Sequence, residues 1–368
     1  MKVLILSTNT GGGHNSAAAA IAEELARRHI ACDIEDCLMY LSERASELIC
    51  KGHVAIYKFS PQLFGKAYAF EERHQTPFFY ELMSLGVEKF NKALQQEQYD
   101  AIVCVHVFAA MLVTETQRRY SLHIPMYLVA TDYTCSPGFA GVDATLWMTP
   151  DVSLHDEFVE NGVPAERLLA TGIPIRRDFY EPIDKADARC ALGLPIDGRL
   201  VLVCCGSIGC GHINRIAPAF ESQLPQDTRV VIICGNNERA YRQLIESSGD
   251  RTTAVAFTDK MPLYMAAADV CVSKPGGLST TELMTVGTPM VLIHAVPGCE
   301  THNLDFVTGH DFGIGAEDWD EAITRTAALL NDEHRLEAMR QRLQSKPRQN
   351  SAVMIADTIM ANVMERQL

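Results

Sequence analysis

The chain has 368 residues, of which 47% are hydrophobic and 21% charged, and it carries a formal net charge of −14. That length exceeds one ordinary core and predicts two domains. The composition excludes extended disorder, the acidic balance argues against nucleic acid as a partner, and no apolar run reaches the roughly 20 residues that cross a bilayer.

The first element is the apolar run "VLILS", read as a strand, followed by "TNTGGGH" and an alanine-rich amphipathic segment from Asn15 to Arg28. Further strand-like runs follow as "IEDCLM", "AIVCVH", "MYLVAT" and "TLWMT". Between the second and third lies a region of helical pattern, from about 40 to 98, that interrupts the alternation. Its segment Ile49–Tyr68 sets Lys51, Lys58 and Lys66 among aromatics without an acid, as an interfacial surface facing an anionic membrane would. An inward-packed helix pair is the alternative. The proline-bearing, charged stretch "TGIPIRRDFYEPIDKADAR" marks the linker, placing domains at 1–178 and 179–349. The second half offers the strand runs "RLVLVCCGS", "RVVIICG", "TAVAF", "VCVSK" and "PMVLIH", and residues 350–368 read as one amphipathic helix returning to the first domain. Short, continuous apolar runs alternating with helices predict an α/β protein with two doubly wound parallel sheets.

The twelve cysteines include no CxxC pair and lie mostly in the strand runs. This predicts buried thiols and a reducing, cytoplasmic setting, with neither a disulfide framework nor a metal site. The chain opens on strand-like sequence, not on a signal-peptide pattern.

Each half runs a strand into a glycine turn and a histidine, "LILSTNTGGGH" and "LVCCGSIGCGH". Such turns point backbone N–H groups and a helix N-terminus at an anion, and glycine lets the backbone come close. Gly12, Gly13, Gly206, Ser207 and Gly209 are therefore candidate ligand contacts. A dinucleotide fingerprint is nearly met by Gly11 and Gly13 with acids from Asp33 to Asp36, but Ser16 occupies its third position. His14 has no place in that fingerprint, and Asn15 and Ser16 are the better helix caps. In "KPGGLSTTEL", Gly276 and Gly277 end a strand and Leu278 opens a helix. Ser279 and Glu282 fit a capping box; alternatively, Glu282 accepts both ribose hydroxyls of a nucleotide.

Together, "GGGHNSAA", "TDY", "TGIPI", "KPGGLSTTEL" and "PGCETHN" resemble, in order and spacing, the monogalactosyldiacylglycerol-synthase and processive diacylglycerol-glucosyltransferase branch of family 28 glycosyltransferases. The resemblance implies a GT-B fold, with two Rossmann-like domains facing a central cleft. It implies a UDP-hexose donor, a diacylglycerol-type lipid acceptor, a peripheral site at the inner face of the membrane, inversion, and no metal or other cofactor. By the resemblance, Met261 borders the uracil, and Glu282 takes the ribose. Gly277, Leu278 and Ser279 line the diphosphate, and Gly298, Cys299, Glu300 and Asn303 face the sugar. Cys299 stands where relatives carry glutamine, and Ser136 and Phe139 where they carry histidine and tryptophan. The base that takes the acceptor proton is His14 or Asp132. A soluble acceptor, a UDP-sugar 2-epimerase and a nucleotide-sugar sensor are the alternatives.

Overall fold

Aliphatic runs in the first half become one parallel sheet. The structure is a computed structural model that describes the chain apart from residues 10–11, 43–64, 67, 71–77, 205–212, 294 and 368. The first of its two units comprises Met1–Arg177, Val296–His302 and Gln349–Leu368. Its strands are β1 (Lys2–Ser7), β2 (Ala31–Asp36), β3 (Ala101–Cys104), β4 (Met126–Val129), β5 (Leu146–Thr149) and β6 (Leu168–Ala170), in the order β2-β1-β3-β4-β5-β6. Strands β3 and β4 are buried along their whole length, as helices on both faces require. Strand β2 stops at Asp36, short of the expected "IEDCLM", because the Asp36 carboxylate accepts Leu38 N–H at 2.9 Å and starts a 3₁₀ turn, Cys37–Tyr40. Strand β6 has no strong apolar run and was not predicted from sequence.

Helix α1 spans Gly12–Arg27, three residues earlier than its sequence start. Asn15 and Ser16 therefore do not cap it. Asn15 Oδ1 accepts from Ser7 Oγ at 2.6 Å, and Ser16 Oγ donates to the Gly12 carbonyl at 2.9 Å. The helical interruption includes α2 (Phe78–Ser84) and α3 (Val87–Gln96); α4 (Val107–Tyr120) and α5 (His155–Glu160) follow. Leu4, Leu6, Phe90, Ile102, Leu128, Trp147 and Phe158 build the core.

The second unit comprises Asp178–Ala295 and Asn303–Arg348. Its strands are β7 (Arg199–Cys204), β8 (Thr228–Ile233), β9 (Thr252–Val255), β10 (Val270–Ser273), β11 (Met290–Ile293) and β12 (Gly313–Ala316), in the order β12-β11-β10-β7-β8-β9, and every pair is parallel. The helices are α6 (Lys185–Ala191), α7 (Ile213–Gln223), α8 (Glu238–Ser247), α9 (Met261–Ala267), α10 (Gly277–Val286), α11 (Cys299–Gly309, of which the residues from Asn303 on belong to this unit), α12 (Trp319–Asn331) and α13 (Glu333–Ser345). Asp269, immediately before β10, is enclosed by three cations. Lys185 and Arg340 (2.8 Å) bind its Oδ1; Arg189 (2.9 Å) and the Leu200 N–H (2.8 Å) bind its Oδ2.

The last helix, α14 (Ser351–Gln367), packs on α1 in the first unit, with Ile355, Ile359 and Val363 buried as its amphipathic pattern requires. Ion pairs reinforce this. Glu24 of α1, with a side chain 2% exposed, takes Arg177 at 2.8 Å and Arg28 at 2.9 Å, and Arg28 reaches Asp357 of α14 at 2.8 Å. Beside the expected bounds of 1–178 and 179–349, the partition puts Asp178 in the second unit and Val296–His302 and Gln349 in the first.

Candidate active site

Open parallel sheets bind ligands beyond the carboxyl ends of strands, where the strand order reverses. In the first unit that point lies between β1 and β3, the two strands that pair across the reversal. His14, in the first turn of α1, stands there. Its Nδ1 lies 3.1 Å from the Val105 carbonyl, just past β3, and 3.1 Å from Thr131 Oγ1, just past β4. A carbonyl only accepts, so these partners assign the proton to Nδ1 and leave the lone pair on Nε2.

Asp132 follows Thr131 directly and is half-buried. Beside it runs the segment Val296–His302, a turn that leads into the start of α11. Gly298 has φ +115°, and a Cβ there would come within 2.9 Å of the Tyr68 ring, so only glycine fits on both counts. Burial, reinforced by Asp132 and Glu300, pushes the Cys299 thiol well above its ordinary pKa, so it presents S–H as a weak donor. Glu300 is buried and its carboxylate accepts Val296 N–H at 2.8 Å, closing the turn.

A cavity of about 300 Å³ opens along the loop after Asp132. It is lined by Cys135–Ala140 together with Glu157, Asn161 and His302. Glu157 holds the loop in place: its Oε1 accepts from Thr134 Oγ1 at 2.6 Å and from Cys135 N at 2.7 Å. The cavity lies at the small end of the range for small-molecule sites.

In the second unit, α10 starts at the carboxyl end of β10, the strand that pairs with β7 where the order reverses. Its N-cap is Gly276, without a side-chain cap, so Ser279 and Glu282 do not form the capping box that their spacing allows. No described residue lies within 4 Å of the Cβ position of Gly276, at a helix end of the kind suited to an anion. The turn is held from behind by Asn303, fully buried, whose amide donates to the Pro275 carbonyl at 2.9 Å. Leu278 is buried, whereas Ser279 and Glu282 are half-exposed on the same helix. Met261 opens α9, and Pro262 is the second residue of that helix. Gly12 and Gly13 are exposed at the start of α1. Gly206, Ser207 and Gly209, and nearly all of Ile49–Tyr68, lie outside the described residues.

Sequence reasoning missed His106 and Glu157, whereas His302 falls within the "PGCETHN" stretch that it singled out. The run "AIVCVH" does end on a histidine at the carboxyl end of a strand, which is a usable signal. Glu157 has none, because its two partners lie more than twenty residues away in the chain.

Two family models divide the chain. Residues 14–175 match the monogalactosyldiacylglycerol (MGDG) synthase model and residues 200–358 match the glycosyltransferase family 28 C-terminal domain. A processive diacylglycerol beta-glucosyltransferase of Bacillus mycoides (strain KBAB4) is 26% identical over 98% of this chain and 93% of its own length. Acinetobacter baumannii MurG shares the fold with a TM-score of 0.67 at 16% identity, covering 98% of this chain and 99% of its own. Anabaena Alr3699/HepE, solved in complex with UDP-glucose, matches with a TM-score of 0.55 at 17% identity, covering 100% and 99%. These structural likenesses, with two parallel six-stranded sheets, give a GT-B fold.

Proposed function

Since the chain belongs to the monogalactosyldiacylglycerol-synthase branch of the family 28 glycosyltransferases, we propose that it moves a hexose from a UDP-sugar to the free hydroxyl of diacylglycerol or a related lipid, with inversion. The observation that carries this reading is the 3.1 Å contact of His14 Nδ1 with the Val105 carbonyl, from which the Nδ1–H tautomer is inferred. The acceptor hydroxyl gives its proton to Nε2 while its oxygen attacks C1 of the hexose. The C1–O bond to the diphosphate breaks, and its electron pair leaves on UDP. On this reading Asp132, which follows the Thr131 that touches the imidazole, favours the cationic form of the base after transfer.

Negative charge grows on the departing diphosphate. The N–H groups of Gly277, Leu278 and Ser279 at the uncapped start of α10 suit it, doing there the work a metal does in other transferases. Glu282, one to two turns along the same helix, suits the ribose hydroxyls. On this reading Glu282→Ala raises KM for the UDP-sugar roughly 10- to 100-fold, the value of hydrogen bonds to a charged group, with a smaller change in kcat. A KM within twofold of wild type would remove Glu282 from the donor site.

Among the described residues no helix is long and apolar enough to cross a membrane. Contact with an anionic membrane surface through Ile49–Tyr68 is part of the same proposal, and it fits an acceptor that resides in lipid. The test of the function is UDP release with and without diacylglycerol in anionic vesicles. A transferase releases UDP in step with glycolipid formed. Release that ignores the lipid, or epimerised UDP-sugar without release, would decide against it.

A further inference from the structure

The geometry points to His106 as a positioning residue for the base, its ring serving as the wall against which His14 is set. This rests on the role of His14 proposed above. The two rings lie 4.7 Å apart at 87°, edge to face. The carbonyl that fixes the His14 tautomer belongs to Val105, the residue immediately before His106. One dipeptide past β3 therefore supplies both the acceptor for Nδ1–H and the ring that sets the imidazole plane.

That dipeptide is itself pinned. Val105 N donates to the Leu6 carbonyl of β1 at 3.1 Å. His106 Nδ1 accepts the Phe108 N–H at 3.1 Å and so caps α4. On its other flank the His106 ring meets Phe108 at 4.7 Å and 62°, and Phe79 of α2 stacks on Phe108 at 5.1 Å. His106 is thus clamped between Phe108 and His14. Its Nδ1 is committed as an acceptor, so the neutral ring carries its proton on Nε2.

A cap alone does not account for this residue. Serine, threonine, aspartate or asparagine caps a helix well, and none of them needs a ring. A base held at one nitrogen can still tip about that bond, and misplacement of a reacting group lowers rate steeply. The edge-to-face contact resists the tipping.

Two substitutions separate the ring from the cap. His106→Asn keeps a capping acceptor and deletes the ring; His106→Phe keeps a ring and deletes the acceptor. The expected result is a roughly two- to tenfold fall in kcat for His106→Asn, the worth of one aromatic contact, with KM for both substrates and Tm near wild type. His106→Phe should show the reverse, a lowered Tm with kcat closer to wild type. The double variant H14A/H106N should be no slower than H14A alone, because the ring acts only through His14. A kcat that follows Tm across the series, a wild-type kcat in His106→Asn, or additive losses in the double variant would each overturn the assignment. His14→Ala with wild-type turnover would instead strike the base itself.

Discussion

Replacing His14 by alanine should lower kcat by roughly 10²–10⁴-fold, the usual worth of a positioned general base, while leaving KM for the UDP-sugar near wild type. The donor contacts proposed here lie on α10, in the other unit, so binding of the nucleotide does not pass through the imidazole. Fold should survive, because His14 is half-buried in the first turn of α1, and that helix is anchored by Ala17, Ala18, Ile21 and Leu25 in the core. His14→Gln can still donate to the Val105 carbonyl but has no lone-pair nitrogen to take a proton, so it should be as slow as alanine. Steady-state UDP release with lipid acceptor is the measurement, and unchanged circular dichroism controls for folding. If glutamine restored turnover, the imidazole would be an orienting group and Asp132 the base.

Asp269→Ala should destabilise the second unit by about 3–5 kcal/mol, the cost of breaking a buried pair and leaving the opposite charge unpaired. The carboxylate is nearly enclosed and joins α6, β7, β10 and α13. Arg189 is the residue most affected. It is 3% exposed, and its remaining partners are the carbonyls of Ala267, Ile196 and Gly198, none of which balances its charge. A urea titration should show the transition midpoint of the variant well below wild type with a similar slope. A midpoint equal to wild type would mean that the arginine finds water.

The same group sets an acid limb. Burial alone would raise the Asp269 pKa, but Lys185, the Leu200 N–H and Arg340 outweigh it and hold the carboxyl below its ordinary value of 3.8. A lowered folded-state pKa means that the contribution is complete above the unfolded value and disappears as pH falls through the folded one. Wild type should therefore lose stability more steeply below pH 3.8 than Asp269→Asn does.

Much of this was legible in the amino-acid sequence. Two doubly wound units and the returning terminal helix follow from local pattern, because a strand buried on both faces must be apolar throughout and a surface helix carries one apolar stripe. Local pattern also allowed two caps that the structure does not form, the first of them the less favoured of two readings. Ser279 and Glu282 have capping-box spacing, yet Gly276 is the cap, since the helix begins as soon as β10 ends. Asn15 and Ser16 look like caps, yet the Asn15 side chain is engaged by Ser7 of the preceding strand.

What the chain order could not disclose is which distant groups meet. The strand order alone brings Val105 and Thr131 to His14, 91 and 117 residues away, and so decides which imidazole nitrogen carries the proton. It also places Glu157 behind the Thr134–Cys135 loop and returns Val296–His302 to the first unit. Periodicity records which face of an element is buried. A hydrogen bond between residues a hundred apart depends on where two strands end side by side, and only the assembled sheet determines that.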